Sequence, residues 1–220
     1  MSGKLRWDRA GWLWWLALAG GGSFFIAVYH GLDGPWVWAW KTSGVGLLAL
    51  WAAVNARDRN GWLIAAALAF GALGDWLLDA NGLETGAVAF AIGHILAIIL
   101  YLGNRRAVLT FSQRLLAWLV MPAALVIVWA VLSPAPGWGQ AAIYSLFVAA
   151  MAGAAWTSRF PRYRTGIGAM LFLASDLFIF AGEGGALPKS VTMWLVWPLY
   201  FAGQALIARG VVGTLSRETS

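Results

Sequence analysis

The sequence predicts an all-α membrane protein in which eight transmembrane helices form one compact bundle, and three observations support this fold class. Hydrophobic residues make up 61% of the 220-residue chain and charged residues only 11%, whereas soluble domains carry about 25% charged residues. Apolar stretches long enough to cross roughly 30 Å of hydrocarbon recur along the whole chain. Many of the 16 tryptophans lie at the ends of these stretches, where indole rings favour the membrane interface.

The eight predicted helices are apolar stretches of about 17–21 residues, the length that a membrane-spanning helix requires. The connections between them are too short to hold a soluble domain, so we expect a single transmembrane domain. In chain order, the helices are expected at about 11–29, 36–54, 61–78, 86–102, 115–132, 138–156, 166–182 and 190–208.

The first predicted helix follows the basic residues Lys4, Arg6 and Arg9, an arrangement that secretory signals share. The segment Ala17-Leu18-Ala19 also resembles a signal-peptidase site. However, the apolar core in front of it has only about six residues, whereas such signals use about 7–15. We therefore expect the first helix to be retained.

The basic residues are concentrated on one predicted side of the membrane, and the opposite loops are mainly acidic. The positive-inside rule then places both termini in the cytoplasm, and we expect a multi-pass protein of the bacterial inner (cytoplasmic) membrane. The residues on the basic side are Lys4, Arg6, Arg9, Arg57, Arg59, Arg105, Arg106, Arg114, Arg159, Arg162, Arg164, Arg209 and Arg217, and those in the opposite loops are Asp33, Asp79, Glu84, Glu183 and Lys189.

The composition also excludes several kinds of site. The chain has no cysteine, so disulfides and thiolate metal sites are impossible. With only two histidines, His30 and His94, a zinc site with three histidine ligands is impossible as well. We expect no metal and no cofactor. The net charge of +6 follows from the short basic loops, so it indicates no nucleic-acid partner.

Two aspartates lie inside the apolar stretches, Asp75 in the third predicted helix and Asp176 in the seventh. A carboxylate in hydrocarbon is costly and is by default a functional candidate. Two neighbouring carboxylates cannot both ionise cheaply, so such a pair offers a proton donor beside a charged group for acid–base catalysis. The alternative is a structural pair in which Lys41 or a backbone group neutralises each acid.

Lys41 and His94 are expected at nearly the same depth as the two aspartates, in a layer roughly 4–13 Å beneath the outer interface. This shared depth favours a functional role for His94, although a hydrogen-bonded core histidine is the alternative. Lys41 could extend to the lipid head groups, pair with an aspartate or hold a lipid phosphate. Asp79, close to the outer loop, is expected to be a solvated residue at the helix end.

The remaining candidates have packing as their simplest explanation. The many glycines inside the helices favour close helix packing, and Gly74 could also leave room for a ligand beside Asp75. In the last helix, Trp197, Tyr200 and Gln204 share one face. That face could pack against other helices or line a site for an acyl chain or a glycerol backbone.

Several short motifs resemble those of the YhhN/lysoplasmalogenase family of integral membrane proteins. The motifs are Gly74-Asp75, Phe90-Ala91-Ile92-Gly93-His94, Ser175-Asp176 and Tyr200-Phe201-Ala202-Gly203-Gln204, and they occur in the expected order among eight spans. The resemblance implies hydrolysis, without a metal, of the vinyl ether bond of a lysoplasmalogen taken from the bilayer, which yields a fatty aldehyde and a glycerophospho-amine.

The implied chemistry fits the residues that the chain provides. Protonation of a vinyl ether at carbon creates an oxocarbenium ion, which requires a proton donor, a nearby anion and water. Asp75 and Asp176 would form the acid–base pair, and His94 would orient a carboxylate or the water. Contacts to the substrate would come from Lys41, Gly74, Ser175, Tyr200 and Gln204.

Two other functions fit the same sequence. The third and seventh predicted helices lie four helices apart and share a small residue followed by aspartate and two apolar residues. This similarity suggests a four-plus-four repeat, which some transporters have, so a lipid or small-molecule transporter or binding protein is one alternative. A non-catalytic membrane scaffold is the other.

Overall fold

Eight long helices account for most of residues 10–218, the part of the chain that the computed structural model describes. Lys4, Arg6 and Arg9 lie outside these described residues. The helices are α1 (Gly11–His30), α2 (Pro35–Asn55), α3 (Arg59–Asn81), α4 (Leu83–Gly103), α5 (Phe111–Leu132), α6 (Trp138–Thr157), α7 (Ile167–Glu183) and α8 (Lys189–Glu218), with a π-helical turn at Arg162–Gly166.

The all-α prediction is confirmed, because the described residues form no strand and contain eight helices long and apolar enough to cross a membrane. The largest difference from the predicted bounds is in α8, which continues to Glu218 instead of ending near 208. Polar residues such as Arg209 interrupt the apolar sequence there, but Val211, Val212 and Leu215 are buried in the core. Packing therefore extends this helix past its apolar stretch.

The ends of the helices follow from local sequence. Asp58 caps α3 by accepting a hydrogen bond from the Gly61 amide, and Thr110 with Gln113 forms a capping box at the start of α5. The one-residue turn between α3 and α4 is Gly82, whose φ of 91° is accessible mainly to glycine. This tight turn holds α3 and α4 together as a close pair.

The bundle consists of two halves that have the same packing order. In the N-terminal half, α1–α4, each helix packs on the next one, and the same is true in the C-terminal half, α5–α8. Between the halves, α4 packs on α6 and α8 packs on α2 and α3. The α4 and α7 backbones stay farther apart, and these two helices meet through the Phe172 ring, which packs on Phe90 and His94. The two halves therefore enclose a space between them.

Close packing inside each half depends on glycine. A Cβ on Gly203 would lie 2.7 Å from the Gly168 carbonyl oxygen, so α7 and α8 touch backbone to backbone. In the N-terminal half, a Cβ on Gly44 would lie 2.9 Å from the Cα of Gly21. These contacts agree with the predicted role of small residues in membrane-helix packing.

The end of the bundle that carries the α2–α3, α4–α5 and α6–α7 connections is called the basic end, and the opposite end the acidic end. At the basic end, Asn104 donates to Asn60 at 3.0 Å and accepts from Arg159 Nε at 2.7 Å. Arg159 also pairs with Glu218 at the end of α8, and Arg106 Nε donates to the Ser158 carbonyl at 2.7 Å. The two halves are thus joined at the basic end.

Candidate active site

A cavity of about 300 Å³, the main cavity, lies between the two halves on the acidic-end side. Its polar walls come from α2, α3, α7 and α8, and its other walls are apolar. The polar lining residues are Lys41, Asp75, Ser175, Asp176, Glu183 and Tyr200, and the apolar ones are Leu78, Leu83, Phe90, Ile179, Val196 and Trp197. Five of the eight sequence-predicted site residues therefore line one space.

Asp75 is held by a phenol from the other half of the bundle. Its side chain is 2% exposed, and the Tyr200 hydroxyl donates a hydrogen bond to Asp75 Oδ2 at 2.8 Å. The same hydroxyl lies 3.4 Å from the Gly71 carbonyl, and Gln204, one turn further along α8, also hydrogen-bonds to Tyr200. Tyr200 thus positions the Asp75 carboxyl, and Gln204 holds Tyr200 in place.

Asp176 has its own phenol partner, which the sequence reasoning did not find. The Tyr144 hydroxyl, on α6, donates to Asp176 Oδ2 at 2.8 Å. His94 Nε2 lies 3.2 Å from the same hydroxyl, so His94 reaches Asp176 only through Tyr144. The signal that could have identified Tyr144 is its depth, because it lies six residues from its helix end, as Lys41 does.

Lys41 pairs with Asp79 and with neither of the two buried aspartates. Lys41 Nζ lies 2.8 and 2.9 Å from the two carboxylate oxygens of Asp79, and both side chains are mostly buried. The expectation that Asp79 is a solvated residue was therefore wrong. In the described part of the chain, no salt bridge reaches Asp75 or Asp176, so Lys41 neutralises neither of them by direct pairing.

The depths of these groups follow from their positions in the helices. Lys41, Asp75 and Asp176 lie six or seven residues from the acidic-end termini of their helices, which corresponds to about 9–11 Å at 1.5 Å per residue. His94 lies deeper, about 17 Å from the start of α4, because that helix begins at Leu83 rather than near 86. Tyr144 connects His94 to the level of the acids.

Two of the predicted substrate contacts, Gly74 and Gln204, do not line the main cavity. Gly74 does not line the main cavity, because the Phe90 ring occupies the space beside it, 2.8 Å from where a Cβ would stand. Room for a ligand at Gly74 was therefore a wrong prediction. Gln204 and His94 line a second, smaller cavity. Ser175 does line the main cavity, and its buried Oγ has no hydrogen-bond partner among the described residues.

The arrangement can perform acid–base chemistry on a ligand in the main cavity. Two buried carboxyl groups line it, near enough for their charges to interact, and each is oriented by a phenol. Among residues 10–218, no three His, Asp or Glu side chains come together as a set of metal ligands. The residues present thus provide proton donors and acceptors and no cluster of ligands for a metal ion.

Comparison with known proteins gives one match. The model of the YhhN family matches residues 36–211, a segment that begins at the start of α2 and ends within α8 and includes every residue of the main cavity. No curated protein and no solved structure matches the chain.

Proposed function

Because the chain belongs to the YhhN family, we propose that this multi-pass membrane protein is a lysoplasmalogenase-like hydrolase, which cleaves the vinyl ether bond of a lysoplasmalogen. The products would be a fatty aldehyde and a glycerophospho-amine. One observation supports the proposal most: Asp75 and Asp176 line the same cavity, each with a hydrogen-bonded phenol and, in the described part of the chain, without a salt bridge.

The reaction needs one proton donor, one base and one water molecule. A protonated carboxyl of the pair gives its proton to the vinyl carbon β to the ether oxygen, which leaves an oxocarbenium ion beside the other carboxylate. Water then attacks the carbon that bears the oxygen, and the carboxylate takes the proton that this water releases. The resulting hemiacetal breaks into aldehyde and alcohol. Two coupled carboxyl groups titrate as a unit, so the proposal assigns these roles to the pair.

The main cavity suits an amphiphile with one chain. Its volume of about 300 Å³ is at the lower end of the range of small-molecule sites, so part of the alkenyl chain would extend beyond it. Leu78, Leu83, Ile179 and Val196 provide apolar walls. The Lys41 ammonium would attract the phosphate, and the unpartnered Ser175 hydroxyl would bond the glycerol backbone.

The test is the hydrolysis of lysoplasmalogen by purified protein in lipid nanodiscs. Asp75→Asn and Asp176→Asn should each reduce kcat by about 10²-fold or more, because each removes one proton-transfer group. Asp33→Asn, in the α1–α2 connection, is the matched control and should retain activity. Near-normal activity in both folded variants of the cavity would show that the catalytic assignment is wrong.

The proposal also includes an orientation, with both termini in the cytoplasm and the main cavity facing the opposite side of a bacterial inner membrane. The chain has no native cysteine, so single-cysteine variants report their side cleanly. Ser190→Cys at the acidic end and Ser112→Cys at the basic end are both exposed positions. In intact cells, a membrane-impermeant maleimide should label the first and leave the second unlabelled. Labelling of the second alone would reverse the orientation.

A transporter remains a second candidate function, because the two halves of the bundle have the same packing order, as in transporters built from repeats. This function requires that the main cavity opens alternately to the two ends. The measurement is movement of a labelled lipid across the membrane of vesicles that contain the protein. If a bulky substitution at the joined basic end, such as Asn60→Trp, abolishes this movement while Asp75→Asn does not, transport is favoured over hydrolysis.

A further inference from the structure

A second cavity, the inner cavity, lies on the basic-end side of the main cavity and has a volume of about 30 Å³. Phe90 contributes to the walls of both cavities. All but one of the inner-cavity lining residues are buried, and most are apolar. The polar lining side chains are those of His94, Tyr101 and Gln204.

Tyr101 is the most informative of these residues. Its side chain is 0% exposed, and its hydroxyl has no hydrogen-bond partner among the described residues. A buried hydroxyl normally has a partner, because desolvating it without one is costly. Tyr101 lies two turns beyond His94 on the same helix, and side chains of helical residues lean toward the N-terminus. Both residues line the inner cavity.

The size and lining of the inner cavity match those of a buried-water site. One water needs about 10–15 Å³ of such volume and two to four polar partners, so a cavity of about 30 Å³ holds about two waters. The Tyr101 hydroxyl, the His94 imidazole and the Gln204 amide provide these partners. His94 uses Nε2 toward Tyr144, which leaves Nδ1 for water.

A chain of hydrogen bonds leads from this cavity to the main cavity. His94 Nε2 lies 3.2 Å from Tyr144 Oη, and Tyr144 Oη lies 2.8 Å from Asp176 Oδ2. A neutral imidazole and a phenol can each donate one proton and accept another. A proton can therefore pass along the chain while each group gives one and receives one, so that neither His94 nor Tyr144 gains or loses a proton overall.

We propose that the inner cavity is a binding site for about two ordered water molecules, held by Tyr101, His94 and Gln204. These waters form the inner end of a relay through His94 and Tyr144. In each turnover the relay takes one proton from Asp176 and returns one to it while a lipid fills the main cavity, so that no proton remains on the waters. The water site is inferred from the volume and lining of the inner cavity alone, whereas the relay rests on the proposed hydrolase function.

X-ray radiolytic footprinting tests the water site without any activity, because hydroxyl radicals formed from bound water label adjacent side chains. Tyr101 and Met151 line the inner cavity and are 0% and 1% exposed. Both should be labelled roughly tenfold faster than Trp51, which is also 0% exposed but lines neither cavity, because only they adjoin buried water. Labelling as slow as that of Trp51 would overturn the proposal.

A filling variant provides the matched control. Ala97→Val places two extra methyl groups in the inner-cavity wall and should reduce labelling of Met151 by roughly tenfold, since it displaces the waters. Ala91→Val, on the same helix and outside the wall, should leave labelling unchanged. If both variants leave labelling unchanged, the labelled water is not in this cavity and the proposal is wrong.

Kinetics on lysoplasmalogen then test the relay. Tyr101→Phe removes the hydroxyl and nothing else, so kcat should fall by about fivefold with unchanged KM, and the solvent deuterium isotope effect should rise. Labelled water together with wild-type kcat in Tyr101→Phe would overturn the relay and retain the water site. A wild-type protein that hydrolyses no lysoplasmalogen would overturn the hydrolase function, and footprinting would still decide on the water.

Discussion

The two halves of the bundle place different chemical groups at equivalent positions. Lys41 is the seventh residue of α2 and Tyr144 the seventh of α6, whereas His94 is the twelfth residue of α4 and Tyr200 the twelfth of α8. The aspartates lie near the acidic-end termini of α3 and α7, six residues before Asn81 in one half and seven before Glu183 in the other. A shared framework therefore carries a lysine and a histidine in one half and two tyrosines in the other.

This difference gives the two carboxyl groups unequal surroundings. Asp75 takes its phenol from the other half, through Tyr200 on α8, and the Lys41 ammonium lies near it. Asp176 takes its phenol from its own half, through Tyr144, which continues to His94 across the interface between halves. A proton donor and a charged partner must differ in their environments. The helix framework alone would give the two aspartates equivalent environments. The lysine and histidine of one half and the two tyrosines of the other make these environments different.

Among the differences between the halves, the largest effects on kcat are expected at the two phenols. Tyr200→Phe and Tyr144→Phe should each reduce kcat by about 10–10²-fold, because each leaves one carboxyl without its orienting hydrogen bond. In a double-mutant cycle, Tyr200→Phe should have little further effect in Asp75→Asn and its full effect in Asp176→Asn. Equal effects of Tyr200→Phe in both backgrounds would contradict the pairing seen in the structure.

A smaller effect is expected at the Lys41–Asp79 ion pair, which has no counterpart at the equivalent positions of the C-terminal half, where Tyr144 stands in the place of Lys41. Lys41→Met should raise KM by roughly tenfold with little change in kcat, because under the proposed function the ammonium attracts the phosphate but takes no part in proton transfer. Stability should also fall, by about 1–3 kcal/mol, because Asp79 loses its charged partner in a mostly buried position. A fall in kcat with unchanged KM would place Lys41 with the aspartates instead. Steady-state kinetics on the purified variant distinguish the two results.

The helices were predictable from the sequence because hydropathy and length are local properties. The two aspartates were predictable as well, because a carboxylate inside an apolar stretch is costly wherever the helix packs. The partner of Lys41 was not, since Asp75 and Asp79 lie one turn apart and only the rotation of α3 against α2 decides between them. Tyr144 was missed for a related reason: a tyrosine inside an apolar span costs little, so only its neighbour in space reveals its role.

The contact made by Gly74 could not be predicted from the sequence either. A glycine beside a functional aspartate signals a close approach, and the sequence cannot say by what. In the structure the approaching group is the Phe90 ring, a residue of the same motif as His94. Gly74 thus allows α3 to pack closely on α4. It contributes to the site only by making room for the Phe90 ring, which lies between the main and inner cavities.

The smallest expected effect concerns stability and again compares the halves. Gly203→Ala places a methyl group 2.7 Å from the Gly168 backbone oxygen, so α7 and α8 must separate, at a cost of about 1–3 kcal/mol. Gly44→Ala places a methyl group 2.9 Å from the Gly21 Cα and at the same distance from the Phe201 ring, so α1 and α2 must separate as well and the ring must also move.

Thermal unfolding in nanodiscs should therefore show a decrease in Tm for Gly203→Ala and for Gly44→Ala. Gly213→Ala, which has nothing within 4 Å of the new Cβ, should raise the Tm slightly, because alanine is the better helix former. An unchanged Tm in only one of these two variants would mean that the backbone contact in that half can open without cost, and that the two halves hold Asp75 and Asp176 on scaffolds of different rigidity.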